Sequence, residues 1–144
     1  MKNTTVKPLS IDYLDQILNL TQHLNPGLPL KDVKERQISM FELEHYTCFG
    51  LFENNTLIGV SSGWITVRIY SGRQLEIDNL IIDSNIHSKG YGKFFIGELE
   101  AWAKANDCVT IELNTYIQNE RSHKFYFNHG YKILGFHFQK TINS

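Results

Sequence analysis

The sequence has few cysteines and no long apolar run. Its two cysteines, Cys48 and Cys108, cannot build a disulfide framework in a chain of 144 residues, and they do not form a CxxC metal-binding pair. We therefore expect two buried, reduced thiols. No stretch reaches the roughly 18 to 20 apolar residues that cross a bilayer, and residues 1–16 lack the apolar core of a signal peptide. These absences predict a soluble, cytoplasmic protein that does not bind membranes.

An excess of one charge sign is also lacking. With 14 Lys/Arg and 15 Asp/Glu the formal net charge is -1, whereas a duplex-binding protein normally carries a clear positive excess. The balance disfavours nucleic acid as a partner. The charges are unevenly distributed, because residues 1–86 hold seven basic and ten acidic residues and residues 87–144 hold seven and five. The second part is the better place for an anionic ligand.

The chain length and an apolar fraction of 42% fit one domain, residues 1–144. Periodicity predicts a first helix capped by Ser10 and a second helix from about Leu30 to Leu43. The remaining pattern predicts strands at TCFGLFE, TLIGVSSGWITVRI, QLEIDNLIID, CVTIELNTY and YKILGFHFQK, and helices at KFFIGELEAWAKAND and NERSHKFYFNHG. The resulting order ααβββαβαβ combines antiparallel hairpins with strand–helix–strand crossovers and indicates a mixed α/β fold.

A loop with Gly90 and Gly92 lies between the third predicted strand and the long helix. Such a loop lets backbone N–H groups and the positive end of the helix converge on a phosphate, because glycine has no side chain to hold the anion away. The segment from His87 to Gly92 reads HSKGYG, which is neither a Walker A loop nor the dinucleotide-binding GxGxxG. By itself it is a weak indication of an anion site.

This loop resembles the Gln/Arg-x-x-Gly-x-Gly/Ala phosphate loop of the GCN5-related N-acetyltransferase superfamily, with His87 in place of the first Gln or Arg. Three further matches support the resemblance. Glu76 lies on the strand before the loop, Asn119 opens the later short helix, and Tyr126 ends a segment similar to the signature Asn-x-x-Ala-x-x-Phe-Tyr. The resemblance covers nearly the whole chain. It implies a GNAT fold, whose central mixed sheet of six to seven strands is splayed in the middle and flanked by four helices.

The resemblance also implies acetyl-CoA as the co-substrate. Backbone groups from Lys89 to Lys93 would hold its pyrophosphate, and main-chain groups of Leu80 and Ile82 would pair with the pantetheine arm as an added strand. The residues assigned to acetyl-CoA are Leu80, Ile81, Ile82, His87, Ser88, Lys89, Gly90, Tyr91, Gly92, Lys93, Asn114, Asn119, Ser122 and Tyr126. The histidines and cysteines have no metal-ligand spacing, so no metal is predicted.

Acetyl transfer to an amine needs a base, because an alkyl ammonium with a pKa of about 10.4 arrives protonated at neutral pH. Glu76 and Asp78 project from one face of their strand by the period of two. We favour Glu76 as the base and Asp78 as the residue that holds a cationic acceptor; the alternative is that the pair only forms the strand's polar face. By the resemblance, the Leu80 N–H would donate to the oxyanion and Tyr126 would protonate the leaving thiolate.

The acceptor is less sharply defined than the donor. The acidic first part of the chain favours a cationic primary amine, either of a small molecule or of a peptide lysine or N-terminus. The short segment after Tyr131 can supply little lid, so the acceptor site is either open or completed by a second subunit in a homodimer. A competing interpretation is a non-catalytic acetyl-CoA sensor or interaction module of the same fold. A third, an acetyltransferase acting on charged tRNA, would need a basic surface that the net charge of -1 does not supply.

Overall fold

A computed structural model describes residues 1–86 and 90–143, which fall into two compact units, Met1–Leu113 and Asn114–Ser144. We call them the sheet unit and the C-terminal unit. The strands of the sheet unit are β1 Thr4–Leu9, β2 Tyr46–Glu53, β3 Thr56–Arg68, β4 Gly72–Ile82 and β5 Thr110–Leu113. Its helices are α1 Leu14–Thr21, α2 Leu30–Phe41 and α3 Tyr91–Ala105. The C-terminal unit contains α4 Glu120–Asn128.

The strands form one mixed sheet in the order β1-β2-β3-β4-β5. Strands β1 to β4 pair antiparallel, whereas β5 pairs parallel with β4, and α3 connects these two strands. The hairpin between β2 and β3 turns at Asn54 and Asn55, whose φ angles of 48° and 67° suit the central residues of a type I′ turn. The mixed α/β class is confirmed, and the order of elements from α1 to α4 is the predicted one.

Helices pack on both faces of the sheet. On one face, α1 contributes to a cluster of buried side chains that comprises Leu9, Ile17, Leu20, Cys48, Phe52 and Val60. On the other face, Phe95 and Leu99 of α3 are fully buried, and the Trp102 ring lies 4.8 Å from the ring of Phe49 on β2. Complete burial of such a side chain contributes about 1.5–3 kcal/mol. The two helical layers therefore fix β2, β3 and β4, the strands on which the predicted catalytic residues depend.

Two strand predictions differ from the structure. The strand β1 was missing from the predicted order, because Lys7 and Pro8 interrupt its apolar pattern; an edge strand tolerates both, since one side of its backbone needs no partner. The predicted closing strand YKILGFHFQK is wrong, because residues 131–143 form neither helix nor strand and most of their side chains are exposed. The described residues thus form five strands, not six to seven.

The helix boundaries largely follow the predicted caps. The Oγ of Ser10 accepts a hydrogen bond from the Asp12 N–H at 3.3 Å and caps a 3-10 turn that leads into α1. In the C-terminal unit, Oδ1 of Asn119 accepts from the Ser122 N–H at 3.2 Å, and Gly130 follows α4 with a φ of 86°. Both caps confirm the prediction. Of the two cysteines, Cys48 is buried, but Cys108 is only half-buried, so the expectation of two buried thiols is half right.

Within residues 1–86 and 90–143, no helix has the length and apolar content that a membrane span requires.

Candidate functional site

Strand β4 contains a bulge just after the two predicted acidic residues. Asn79 and Leu80 together oppose the single residue Ser61 of β3, and the regular ladder, which holds up to Asp78, resumes at Ile81. Asn79 adopts a left-handed φ of 53°, and its N–H donates to Oδ1 of Asp78 at 2.9 Å. A bulge leaves its extra residue out of the ladder and re-aims the backbone groups beside it. Leu80, the predicted oxyanion donor, therefore has no partner in the β3 register.

The opposite edge of β4 is open over the same stretch. β5 pairs only with residues 74–77 of β4 and leaves Asp78–Ile82 without a parallel strand partner among the described residues. Among the described residues of the sheet unit, the edge of β4 at Leu80, Ile81 and Ile82 is therefore open, as the predicted splay requires. An unpaired strand edge can accept an extended ligand through main-chain hydrogen bonds.

Three carboxylates, those of Glu76, Asp78 and Glu112, share the sheet face beside this opening, which we call the acidic face. Glu76 lies opposite Trp64 on β3 and opposite Glu112 on β5, and Asp78 projects from the same face two residues later. The phenol of Tyr70 donates to Oε1 of Glu112 at 2.7 Å, and this hydrogen bond raises the pKa of Tyr70. Glu76 is half-buried and Asp78 is exposed. An indole ring and several carboxylates on one face form an environment that favours a cation.

A buried chain of hydroxyl and amide groups supports this face from α2. The Nε2 of Gln37 donates to the Tyr46 oxygen at 2.8 Å, and that hydroxyl lies 2.8 Å from Oγ of Ser62, the residue opposite Asp78. Burial raises the pKa of Tyr46, so its phenol stays protonated at neutral pH and can donate to Ser62 while it accepts from Gln37. The ring of Tyr46 also lies 4.7 Å from that of Trp64. Helix α2 is thereby connected to β2 and β3 beside the acidic face.

The predicted phosphate loop is described only in its second half, because His87, Ser88 and Lys89 lie outside the described residues. Gly90 precedes α3 with a left-handed φ of 101°, a conformation that favours glycine, and its carbonyl accepts from the Phe94 N–H at 2.9 Å. The first N–H groups of an α-helix have no acceptor within the helix. The backbone groups predicted to hold pyrophosphate thus belong to the first turn of α3, where Tyr91 is buried, Gly92 is half-buried and Lys93 is exposed.

The C-terminal unit contains the other predicted residues. Asn114 is exposed, Asn119 uses its side-chain oxygen to cap α4, and Ser122 is half-buried in the first turn of that helix. Tyr126 packs against the Phe125 and Tyr131 rings at 5.2 and 5.4 Å, and burial raises the pKa of its phenol.

Sequence reasoning missed three residues of the acidic face: Trp64, Glu112 and Tyr70. The signal for Glu112 was available, because it is the only charged residue between Val109 and Leu113. Its position opposite Glu76 depends on the parallel register of β4 and β5, which the sequence alone does not give. In the described part of the chain, no three His, Cys, Asp or Glu residues are close enough together to hold a metal ion.

Comparison with known proteins identifies the family. The model of the acetyltransferase (GNAT) family matches residues 14–131. An uncharacterized N-acetyltransferase of Bacillus subtilis strain 168, YhdJ, is 26% identical over 124 residues, which are 85% of this chain and 87% of that protein.

Solved structures with a similar fold include an aminoglycoside N-acetyltransferase, AAC(6')-Iy, in complex with CoA. It has a TM-score of 0.82 and 15% identity, and the match covers 98% of this chain and 95% of the other. A possible acetyltransferase of Clostridium difficile 630 has a TM-score of 0.84 and 11% identity, over 99% of each chain. At these identities the structures establish the fold alone. The family match covers most of the sequence and includes both β4 and α4, and the chain therefore belongs to the acetyltransferase (GNAT) family.

Proposed function

We propose that this protein is an acetyl-CoA-dependent N-acetyltransferase that transfers the acetyl group directly to a primary amine. The observation that carries the proposal is the bulged, open-edged stretch of β4 directly after Glu76 and Asp78. It offers backbone groups for an extended thioester next to carboxylates that can receive an ammonium. Because the family match spans residues 14–131 and therefore includes parts of both units, we also propose that residues 1–144 form one N-acetyltransferase domain.

The donor would bind along β4 and the start of α3. The pantetheine arm would pair with the open edge at Leu80, Ile81 and Ile82, and the pyrophosphate would lie on the first turn of α3 at Gly90–Lys93 together with His87, Ser88 and Lys89. The family resemblance further assigns three residues to the donor site, namely Asn114, Asn119 and Ser122. A relative of the same fold, AAC(6')-Iy, has been solved with CoA and with a CoA-linked acetylneamine analogue. No step requires a metal.

The reaction would begin with removal of a proton from the bound ammonium by Glu76, directly or through water. The neutral amine then attacks the thioester carbonyl, and the Leu80 N–H, which has no strand partner in the β3 register, donates to the oxyanion. As the C–S bond breaks, Tyr126 donates its proton to the thiolate, and the acetylated nitrogen loses its second proton, which is returned to the Tyr126 phenolate through solvent. Burial raises the pKa of Tyr126, so its phenol carries a proton at neutral pH.

The acceptor would be a cationic amine of a small molecule or of a lysine or N-terminus. Asp78 would hold its charge, with Glu112 and the Trp64 ring as further walls of the acidic face. A second ammonium on the same acceptor could then be held while the first reacts. That AAC(6')-Iy was solved with an acetylneamine analogue supports a small-molecule amine as the first class to test.

The proposal is tested by thiol release from acetyl-CoA with a panel of amines, using Glu76→Gln, Asp78→Asn and Glu98→Gln. We expect Glu76→Gln to lower kcat about 10²-fold at pH 7 and to recover partly as the pH approaches the acceptor pKa of about 10, because more of the amine then arrives unprotonated. Asp78→Asn should mainly raise the acceptor KM. Glu98, exposed on α3, is the matched control and should leave both constants unchanged.

Two outcomes would contradict the proposal in different ways. A parallel pH profile of Glu76→Gln and the original protein would remove Glu76 as the base. Binding of acetyl-CoA in calorimetry without turnover on any amine would favour the alternative, a non-catalytic acetyl-CoA sensor or interaction module.

A further inference from the structure

Gly59 on β3 lies where three strands approach one another closely. A Cβ atom at this position would lie 3.1 Å from the Ile81 carbonyl oxygen on β4 and 3.3 Å from Cβ and Cδ2 of Leu51 on β2, whereas ordinary van der Waals contact begins at about 3.4 Å. Leu51 is fully buried, so its side chain has little room to move away. The φ of Gly59 is not positive, and the backbone conformation alone would therefore accept any residue. Close approach of the strands, not a turn, requires glycine here.

The Ile81 carbonyl, which approaches Gly59, faces β3 and thereby fixes the direction of the neighbouring backbone groups. Asp83 faces β3 as well, because its N–H donates to the Ile58 carbonyl at 2.7 Å. In a strand the N–H and C=O of one residue point to the same side, and successive residues alternate. The backbone groups of Leu80 and Ile82 therefore point away from β3, toward the open edge of β4.

One rigid peptide unit connects Gly59 with that open edge. The carbonyl of Ile81 and the N–H of Ile82 belong to the same peptide bond, which is planar and trans, so the oxygen points to one side and the hydrogen to the other. A side chain at residue 59 that displaces the oxygen by a few tenths of an ångström would also tilt the N–H on the opposite side. Ile82 lies directly opposite Gly59 in the ladder, so no other residue of β3 is better placed to do this.

We propose that Gly59 is a positioning residue for the donor: its lack of a side chain allows the Ile81–Ile82 peptide to approach β3, and this directs the Ile82 N–H toward the pantetheine arm. The inference rests on the proposed function, because it concerns the same donor site. Gly59 acts through the peptide unit and not by contact with the donor. An N–H···O bond has an N···O distance of about 2.7–3.2 Å and weakens as the angle falls, so a small tilt is sufficient to weaken it.

The test compares Gly59→Ala with the matched control Gly50→Ala on β2. A Cβ atom at Gly50 would meet its nearest neighbours at 2.7–2.9 Å, closer than at Gly59, but these are side-chain atoms of Leu9 and Leu57 and no backbone of β4. By calorimetry, we expect Gly59→Ala to raise the Kd of CoA about three- to tenfold, the size of effect that one weakened hydrogen bond has. Gly50→Ala should leave this Kd unchanged. Urea unfolding should show some loss of stability in both variants.

A fragment of the donor distinguishes the pantetheine edge from the pyrophosphate loop. The nucleotide 3′-phospho-ADP keeps the pyrophosphate of CoA but lacks the pantetheine arm, and we expect it to bind equally to the original protein and to both variants. In turnover assays Gly59→Ala should raise the KM for acetyl-CoA and leave the KM for the amine unchanged. A purely structural role of Gly59 predicts no such division between the two substrates.

A second measurement uses the original protein and does not depend on the folding of a variant. Hydrogen exchange followed by NMR should show that CoA slows exchange of the Leu80 and Ile82 amides, whereas those of Ile81 and Asp83, which face β3, are unaffected.

Three results would overturn the inference while leaving the proposed function intact: an unchanged Kd of CoA in Gly59→Ala, an equal loss of CoA and 3′-phospho-ADP binding, or protection of Ile81 instead of Ile82. Failure of the original protein itself to bind CoA would instead overturn the proposed function, and the inference with it.

Discussion

Removal of one buried hydroxyl, Tyr46→Phe, tests how firmly α2 is connected to the sheet. Gln37 and Ser62 are only 5% and 2% exposed, and each forms a hydrogen bond of 2.8 Å with the Tyr46 oxygen. Without that oxygen, both side chains lose this partner in a place where water has little access. A buried polar group left unsatisfied costs about 1–3 kcal/mol, so the change should lower the free energy of unfolding by about 2–4 kcal/mol.

Urea unfolding followed by tryptophan fluorescence measures this loss, because the urea concentration at the midpoint and the dependence of the free energy on urea together give the free energy of unfolding in water. The melting temperature should fall by roughly 5–10 °C in a chain of this size. Tyr70→Phe is the matched control: it removes an exposed hydroxyl that donates to Glu112, and it should cost less than about 0.5 kcal/mol. A Tyr46→Phe variant within 0.5 kcal/mol of the original protein would refute the reasoning.

A cycle with Ser62→Ala separates the hydrogen bond from the loss of packing. If the chain of hydroxyl groups carries the effect, the double variant should be less destabilised than the sum of the two single variants, because Ser62 then has no hydroxyl left to satisfy. Additive losses would indicate that each side chain contributes only through its own contacts.

Two further predictions concern the bulge and the buried thiol. Asn79→Gly should retain stability and turnover, whereas Asn79→Val should cost about 1–2 kcal/mol and reduce kcat, because a β-branched residue is strained at a φ of 53°; equal activity of the two variants would contradict a role for the bulge. Burial raises the pKa of Cys48 from 9.0 to about 11, so its thiol stabilises the fold fully below pH 9 and this contribution is lost as the pH rises through 11. The original protein should thus lose up to about 3 kcal/mol more than Cys48→Ala between pH 8 and 12, as measured by urea unfolding at each pH, and parallel curves would show that the thiol is not protected.

The parts of the fold that short-range chemistry determines could be predicted from the sequence. The Asn54 and Asn55 turn, the Ser10 and Asn119 caps and the glycine at the end of α4 follow from the conformations that these residues favour. Strand β4 and α3 also follow from their apolar patterns, since each buries one face against the same core.

The parts that depend on long-range pairing could not be predicted. The bulge depends on which residue of β3 lies opposite Asn79, and the acidic face depends on the parallel register that brings Glu112 beside Glu76. Residues 131–143 are the reverse case, because Leu134, Phe136 and Phe138 alternate as in a strand but the segment has no regular secondary structure. A strand pattern records the preference of a segment, while the partner edge decides whether a strand forms.

The bulge at Asn79 interrupts the pairing of β3 with β4, which lowers stability, but it leaves the Leu80 backbone outside the ladder, which the proposed reaction requires. Deletion of one residue there would let β3 and β4 pair without interruption, and an engineer who sought a more heat-resistant protein would be drawn to that change. The same deletion would return the Leu80 backbone to the ladder opposite Ser61, while Ile81 and Ile82 kept their places opposite Val60 and Gly59, so the proposed oxyanion donor would be taken up by β3. Stabilised versions of this protein are therefore better sought on the exposed positions of α2 and α3, where helix propensity can be raised without altering the course of β4.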